Sequence, residues 1–345
     1  MASAKVAGYM PRVARLIVVD PRAPDAASIS DAVRVLRAGG LVALPTETVY
    51  GLGARALDDR ALARVFEAKG RPSHHPLIAH VLDESQARAL AALWPGGASR
   101  LARAFWPGPL TIVVARARHV PPAISGGADS IALRAPSHPV ARAVIAALGE
   151  PVAAPSANRY QALSPTTAQH VMKQLGHAID LVLDAGPCDA GIESTVIDLR
   201  GPIARVLRPG ALDVAAVREV LPDVESRSED APADQARASP GMDARHYAPR
   251  ARLLLAATGD DAWRLARELS SSGKRVGLVV RSSPGGAPAG ILVRELPDDP
   301  AGYGRALYRT LHDCDDRACD AIVVEGVPGG DSWSAIADRL RRAAQ

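Results

Sequence analysis

The sequence predicts an α/β protein: a larger, twisted mixed sheet with helices, followed by a small Rossmann-like, doubly wound domain. Three observations predict it. Up to residue 220, strand-like apolar runs alternate with helix-period segments, but several strands follow one another near the end of that region, which favours a mixed sheet over a purely parallel one. The stretch 221–250 is rich in Pro, Asp, Ala, Ser and charge and lacks apolar periodicity, so it reads as a linker. From 251 onward strands and helices alternate regularly, the pattern of a doubly wound sheet. The expected divisions are an N-terminal extension over 1–25, a first domain over 26–220, the linker over 221–250 and a second domain over 251–345.

The elements follow in order. An apolar run at 15–19 is a strand. Ser30 can cap a helix over 31–38, which Gly39 and Gly40 end. A strand at 41–44 leads into a polar, glycine-containing stretch at 45–53. Asp58 or Asp59 starts a helix through 68, with Leu62, Val65 and Phe66 on one face, and Gly70 ends it. Strands are expected at 76–81, 110–115, 130–133, 181–183, 195–199 and 204–207, and helices at 139–148 and 167–175. In the second domain the strands are 252–256, 275–280, 291–295 and 321–325, and the helices 260–271, 303–314 and 334–343.

Composition narrows the function. Only 3% of residues are aromatic, which argues against a base-stacking platform for single-stranded nucleic acid. No window approaches the ~18 consecutive apolar residues of a membrane span. Cys188, Cys314 and Cys319 form no CxxC pair, which fits a reducing cytoplasm and argues against structural zinc. The first residues lack the apolar core and cleavage site of a secretion signal. The net charge is +4, but the first 210 residues carry 23 Lys and Arg against 16 Asp and Glu. Such an excess suits solubility or an anionic ligand: nucleotide, carboxylate or RNA.

Common catalytic signatures are absent: no GxxxxGK[ST], no GxSxG, no HExxH, and only half a dinucleotide fingerprint at Gly51-Leu52-Gly53. Four clusters remain. PTETVYGLG (45–53) follows a strand's C-terminal end, where open α/β sheets bind ligands, and its hydroxyls and glycines admit a small polar molecule or simply make a polar turn. KGRP (69–72) places Lys69 and Arg71 around a glycine at a helix end, where they can face one anion or merely complement the helix dipole. Only four of 41 basic residues are Lys, so a Lys at 69 hints at a compact point charge. A strand at 130–134 ends in Arg134, whose planar fork suits a carboxylate, or which is an exposed strand end. APSAN (154–158), with Ser164-Pro165-Thr166, offers hydroxyls and an amide for phosphate oxygens, or a capping loop.

In this order, PTETVYGLG, KGRP with PLIAH (76–80), WPGPLT (106–111), LRAP (133–136), APSAN, ESTV (193–196) and VLRPG (206–210) resemble the YrdC-like family. SPGM (239–242) and HYAP (246–249) resemble the signature of its two-domain form, the L-threonylcarbamoyladenylate synthases of tRNA modification. The resemblance covers about 25–250, and the second domain fits the family's extra domain by size and pattern. It implies condensation of L-threonine, bicarbonate or CO2, and ATP into threonylcarbamoyl-AMP and pyrophosphate, with a separate complex transferring the threonylcarbamoyl group to tRNA. It assigns L-threonine to Thr48, His80, Arg134, the Ala154 backbone and Ser194. It assigns ATP to Arg71, His75, Ser130, Ser156, Ser164, Arg208 and Tyr247. Lys69, Arg71, Ser156 and Asn158 form its catalytic quartet around the phosphates and the reacting carbamate. Mg2+ is expected to arrive through ATP oxygens, with no protein metal site and no tightly bound organic cofactor. His74 and His75 occupy the stretch that varies after KGRP. Tyr247 in the linker implies that the linker folds over the site as a lid, and Tyr50 and Tyr247 are the rings expected near the nucleotide.

Two other readings exist. The basic first domain suits a double-stranded RNA or tRNA binding module, or a weak RNA contact beside catalysis, although the distinctive residues gather at strand ends as in a small-molecule pocket. Related domains handle carbamoyl-adenylate in hydrogenase maturation, but within larger chains bearing zinc-finger and acylphosphatase parts that this sequence lacks.

Overall fold

The computed structural model describes residues 13–226, 245–282 and 288–345. The SPGM segment at 239–242 lies outside them. In chain order the first domain comprises β1 (Arg15–Val18), α1 (Ala26–Arg37), β2 (Val42–Leu44), β3 (Gly51–Arg55), α2 (Asp59–Lys69), β4 (Ile78–His80), α3 (Glu84–Leu90), α4 (Gly96–Phe105), β5 (Leu110–Ala115), β6 (Ser130–Arg134), α5 (Pro139–Leu148), β7 (Val152–Ala153), α6 (Ala168–Leu175), β8 (Leu181–Asp184), β9 (Thr195–Asp198), β10 (Arg205–Arg208), α7 (Val214–Val220) and β11 (Glu225–Ser226). The second comprises β12 (Arg252–Ala256), α8 (Gly259–Ser271), β13 (Val276–Val280), β14 (Ile291–Glu295), α9 (Pro300–Asp316), β15 (Ala321–Glu325) and α10 (Asp331–Ala343).

The first eleven strands form one mixed sheet in the order β1-β8-β2-β3-β7-β4-β6-β5-β9-β10-β11. Parallel pairs such as β4 with β6 alternate with antiparallel ones such as β5 with β6. Both faces are covered. On β8, Leu181 and Leu183 pack with Ile29 and Leu36 of α1 and Val144 of α5, while Val182 packs with Leu62 and Val65 of α2. Burial on both faces explains why these strands read as short continuous apolar runs. The last four strands form a parallel sheet, β12-β15-β13-β14. Trp263 of α8 packs on one face, and Leu307 of α9 with Ile336 of α10 on the other. That second cluster also takes in Val49, Leu163 and Ile192 of the first domain, so one apolar core crosses between the two sheets. Among the described residues no helix is long and apolar enough to cross a membrane.

Several sequence expectations change. β1 pairs in parallel with β8, so the large sheet begins inside the span assigned to an N-terminal extension. α1 starts at Ala26 because Asp25, not Ser30, caps it: its Oδ1 accepts from Ser28 N at 2.8 Å. The glycine-containing stretch at 51–55, read as part of a polar loop, is strand β3, because its glycines let β2 and β7 approach on either side. A Cβ on Gly53 would fall 2.9 Å from Val42 O. Helices α3, α4 and α7, short and Ala-rich, are not among the elements the sequence predicts. The helix at 59–69 agrees, with Asp58 as its cap and Gly70 in the left-handed region at φ 63°.

Candidate active site

Three polar clusters line the ends of neighbouring strands. The first centres on Arg134, the last residue of β6, whose parallel register sets it beside His80 of β4. Arg134 Nη1 donates to Thr48 Oγ1 at 2.8 Å. Thr46 Oγ1 lies 2.9 Å from Thr48 Oγ1 and donates to Val49 O at 2.6 Å. Its single proton is thereby used, so Thr48 donates to Thr46 and presents its lone pairs to Arg134. Arg134 Nη2 is 2.7 Å from Glu47 Oε1, an ion pair without hydrogen-bond alignment. Arg134 Nε and Nη2 and both Glu47 carboxylate oxygens are buried without hydrogen-bond partners. Burial pushes the Glu47 carboxyl up, but Arg134 more than offsets this and holds it below its ordinary value. Burial, reinforced by Arg134, pushes His80 down to about 3, so the ring is neutral, and its Nδ1 has no hydrogen-bond partner.

The second cluster centres on Lys69, at the last turn of α2. Gly70 turns the chain so that Arg71 follows on the same side. Lys69 is 3% exposed. Its Nζ donates to Ser156 O at 2.5 Å and Asn158 O at 2.6 Å. Asn158 Nδ2 in turn donates to Arg159 O and Ala162 O, both at 2.8 Å, which fixes the loop that carries those carbonyls. Burial and the neighbouring Arg71 press the Lys69 pKa well below its ordinary value. Arg71 Nη2 donates to Pro76 O at 3.2 Å, and its guanidinium lies over the Tyr160 ring, 5.9 Å from the centroid. His75 packs edge-on against the same ring at 5.5 Å, and His246 does so at 6.4 Å.

The third cluster joins the two domains. Arg208, at the end of β10, donates from Nη2 to Ser194 O at 2.8 Å, and its Nη1 is 3.5 Å from Tyr247 Oη. Ser194 Oγ is 2.8 Å from Thr111 Oγ1. Gly210 makes this fold-over feasible: a Cβ there would fall 2.3 Å from the Ser194 carbonyl carbon. Ser164 Oγ donates to Glu193 Oε1 at 2.5 Å. Glu193 also accepts from Tyr308 Oη at 3.2 Å and from Arg339 Nε at 2.9 Å, both from the second domain. Burial pushes the Glu193 carboxyl up, but Arg339 and Arg208 outweigh it and keep it lowered.

Of the residues singled out in the sequence, Thr48, His80 and Arg134 meet in the first cluster, Lys69, Arg71, His75, Ser156 and Asn158 in the second, and Ser164, Ser194, Arg208 and Tyr247 in the third. Ala154 N donates to Ile78 O at 3.0 Å, tying the APSAN loop to β4 beside His80. Ser130 begins β6, roughly 13 Å from Arg134 at ~3.3 Å per strand residue. Ser130 therefore belongs to a different end of the site. The Tyr50 ring is fully buried in the first domain's core and its hydroxyl donates to Gly186 O at 2.7 Å, so it anchors the fold; the Tyr247 ring is buried as deeply but lies beside Arg208 and Arg339. The residues that sequence reasoning passed over are Tyr160, Glu193, Tyr308 and Arg339. Glu193 was visible as the first letter of ESTV. The two from the second domain carried no local signal, because α9 and α10 read as ordinary amphipathic helices. Among the described residues no group of three His, Cys, Asp or Glu could hold a metal ion.

A family model described as Telomere recombination matches residues 34–210, and one described as Threonylcarbamoyl-AMP synthase, C-terminal domain, matches 212–345. The threonylcarbamoyl-AMP synthase of Pyrococcus abyssi is 40% identical over 320 residues, which cover 90% of this chain and 92% of that one. That of Bacillus subtilis is 36% identical over 335 residues, covering 95% and 96%. The crystal structure of P. abyssi Sua5 complexed with L-threonine matches with a TM-score of 0.89 at 38% identity, over 95% of this chain and 97% of that one. With both halves matched in order and relatives aligned over nearly their whole length, the chain belongs to the two-domain threonylcarbamoyl-AMP synthase family.

Proposed function

We propose that the chain is a nucleotidyltransferase that condenses L-threonine, bicarbonate or CO2, and ATP into threonylcarbamoyl-AMP with release of pyrophosphate, for threonylcarbamoyladenosine modification of tRNA. The observation that carries this reading is the pairing of a carboxylate-type site at Arg134 and Thr48 with a buried cationic site at Lys69 and Arg71, on a chain of this family. The relative crystallised with L-threonine supports the first substrate.

The chemistry follows from the three clusters. Arg134 has Nη1 on Thr48 and Nη2 paired with Glu47, and its buried Nε has no hydrogen-bond partner, so the guanidinium offers a fixed cationic donor to an amino-acid carboxylate. Neutral His80 and the Thr48 hydroxyl flank the rest of the amino acid. The amine attacks CO2, forming a C–N bond and losing a proton. A carbamate oxygen then attacks the α-phosphorus, and the Pα–O bond to pyrophosphate breaks. No covalent enzyme intermediate is required, so positioning and charge stabilisation suffice. Lys69 and Arg71 face the phosphates, with Ser156 and Asn158 shaping the loop around them. Ser130, Ser164, Arg208, His75 and Tyr247 hold the nucleotide. Lys69 is a buried cation whose charged form an arriving triphosphate stabilises.

Mg2+ fits as a companion of ATP. Glu47 and Glu193, the buried carboxylates beside these clusters, are already engaged by Arg134 and Arg339, so phosphate oxygens would hold the ion. It would supply charge neutralisation at the leaving pyrophosphate. We place the protein in the cytoplasm, handing its product to a threonylcarbamoyl-transferring complex. An RNA-binding module is not favoured: Lys69, Arg71, Arg134 and Arg208 are each 7% exposed or less and cannot form a phosphate-reading face. The test is pyrophosphate release from ATP and bicarbonate with and without L-threonine. Release that does not depend on threonine refutes the assignment.

A further inference from the structure

The second domain does more than pack beside the first, because it places a buried arginine against the groups assigned to ATP. Arg339 of α10 is 1% exposed. Its Nε donates to Glu193 Oε2 at 2.9 Å, and its Nη1 to Pro209 O at 2.8 Å and Asp338 Oδ2 at 3.0 Å. Its face covers the Tyr247 ring, with Cζ 5.1 Å from the centroid. Its Nη2 is buried without a hydrogen-bond partner. Tyr308 of α9 supports the same assembly: its hydroxyl donates to Glu193, and its ring lies 5.9 Å from that of Tyr247.

Two segments depend on this arginine. Tyr247 has φ 60°, a left-handed conformation that a tyrosine adopts only where its surroundings impose it. The Arg339 guanidinium and the Tyr308 ring, both packed against the Tyr247 ring, supply that constraint. Glu193 is a fully buried carboxylate shared by Ser164, Tyr308 and Arg339. Without the arginine, one buried charge loses its principal partner, and Ser164 loses a fixed acceptor. Pro209, next to Arg208, is held by the same side chain. Arg339 therefore touches the supports of Ser164, Arg208 and Tyr247 at once; of the residues assigned to L-threonine it neighbours only Ser194, through Glu193 and Arg208, and none of the supports of Arg134, Thr48 or His80.

We infer that Arg339, assisted by Tyr308, is a positioning residue for the nucleotide half of the site, so that the second domain sets the affinity for ATP more strongly than that for L-threonine. The inference rests on the assignment of Ser164, Arg208 and Tyr247 to ATP. The test uses the full chain with Arg339→Lys, Arg339→Met and Tyr308→Phe. Steady-state pyrophosphate release gives KM for ATP and for L-threonine separately, and calorimetry gives Tm. Loss of the charge-assisted bonds to Glu193 and Pro209 is expected to raise KM for ATP about tenfold or more in Arg339→Met, with partial recovery in Arg339→Lys. Tyr308→Phe, which removes one hydroxyl, is expected to raise it about threefold at a Tm close to that of the parent. KM for L-threonine, which this network reaches only through Ser194, is expected to rise less than KM for ATP in every variant. Equal rises in both KM values, or an unchanged KM for ATP in folded Arg339→Lys and Tyr308→Phe, overturn the inference. Should Arg339→Met not fold, those two variants decide. If the parent protein releases no pyrophosphate with threonine and bicarbonate, the functional assignment fails instead, and the two failures are distinguished.

Discussion

Replacing Lys69 by Met removes a charge at nearly constant volume and separates catalysis from folding. The ammonium donates to Ser156 O and Asn158 O at 2.5 and 2.6 Å in a site only 3% exposed. Each charge-assisted bond contributes about 1.5–3 kcal/mol when both partners are already buried. Against that stands the cost of burying the cation, visible as a pKa pressed well below the ordinary lysine value by burial and Arg71. Met leaves the Ser156 and Asn158 carbonyls without their buried donor, a cost that relief of the buried cation only partly offsets, so the net loss of stability should be about 2 kcal/mol, roughly 4 °C in Tm for a chain of this size. Activity should respond very differently. Loss of a fixed positive donor facing the developing charge on phosphate costs about 10²–10³ in kcat, or about 3–4 kcal/mol. The assay is pyrophosphate release with L-threonine and bicarbonate, alongside scanning calorimetry. A variant with kcat within tenfold of the parent refutes the charge-stabilising role. A Tm collapse that accounts for the lost activity refutes the claim that Lys69 serves chemistry more than structure.

Three further outcomes are expected. Arg134→Lys keeps the charge opposite Glu47 but loses the planar fork, so KM for L-threonine should rise about 10-fold or more while KM for ATP stays within about twofold, measured by the same assay; parallel rises would sink the carboxylate role. Tyr247→Phe removes a hydroxyl that lies 3.5 Å from Arg208, a weak contact, and should change KM for ATP by less than about threefold, whereas Tyr247→Ala, which empties the space under Arg339, should raise it by more than tenfold; the reverse order would contradict the ring's role. His80 and His170 are both held down to about 3, chiefly by burial, so below the ordinary histidine value of about 6.5 the unfolded chain takes up protons that the folded chain refuses. Stability to urea should therefore fall as pH drops from 6.5 toward 3, by about 1.4 kcal/mol per pH unit for each ring, and His170→Gln should remove one proton's share of that slope; a flat profile would show that the rings are not held neutral.

Much of the first cluster and the second was legible in the sequence because their residues are contiguous with strand and helix ends. The helix over 59–69 announced itself through Asp58, the spacing of Leu62, Val65 and Phe66, and Gly70, so Lys69 and Arg71 could be placed at one turn. Arg134 was legible as the polar end of an apolar strand. β3 was not, because its glycines look like loop residues until β2 and β7 are set against them. The sequence predicts α1 too short because Ser30 imitates a cap that Asp25 supplies. Tyr50 and Tyr247 look alike in the sequence, and only tertiary packing sends one into the first domain's core and the other into the apolar cluster beside Arg208. Arg339 and Tyr308 were out of reach for a different reason. Their partners lie 146 and 115 residues away in sequence, and no periodicity within α9 or α10 records such a separation.

The apolar cluster that runs from Val49, Leu163 and Ile192 into Leu307 and Ile336 bears on how the molecule melts. The second half supplies most of that core, but Val49, Leu163 and Ile192 of the first half close it, so neither half can lose its structure there without uncovering apolar surface of the other. Heating should accordingly give one calorimetric transition whose van't Hoff and calorimetric enthalpies agree, even though the chain holds two sheets. The second half expressed alone would present those leucines and isoleucines to water and self-associate.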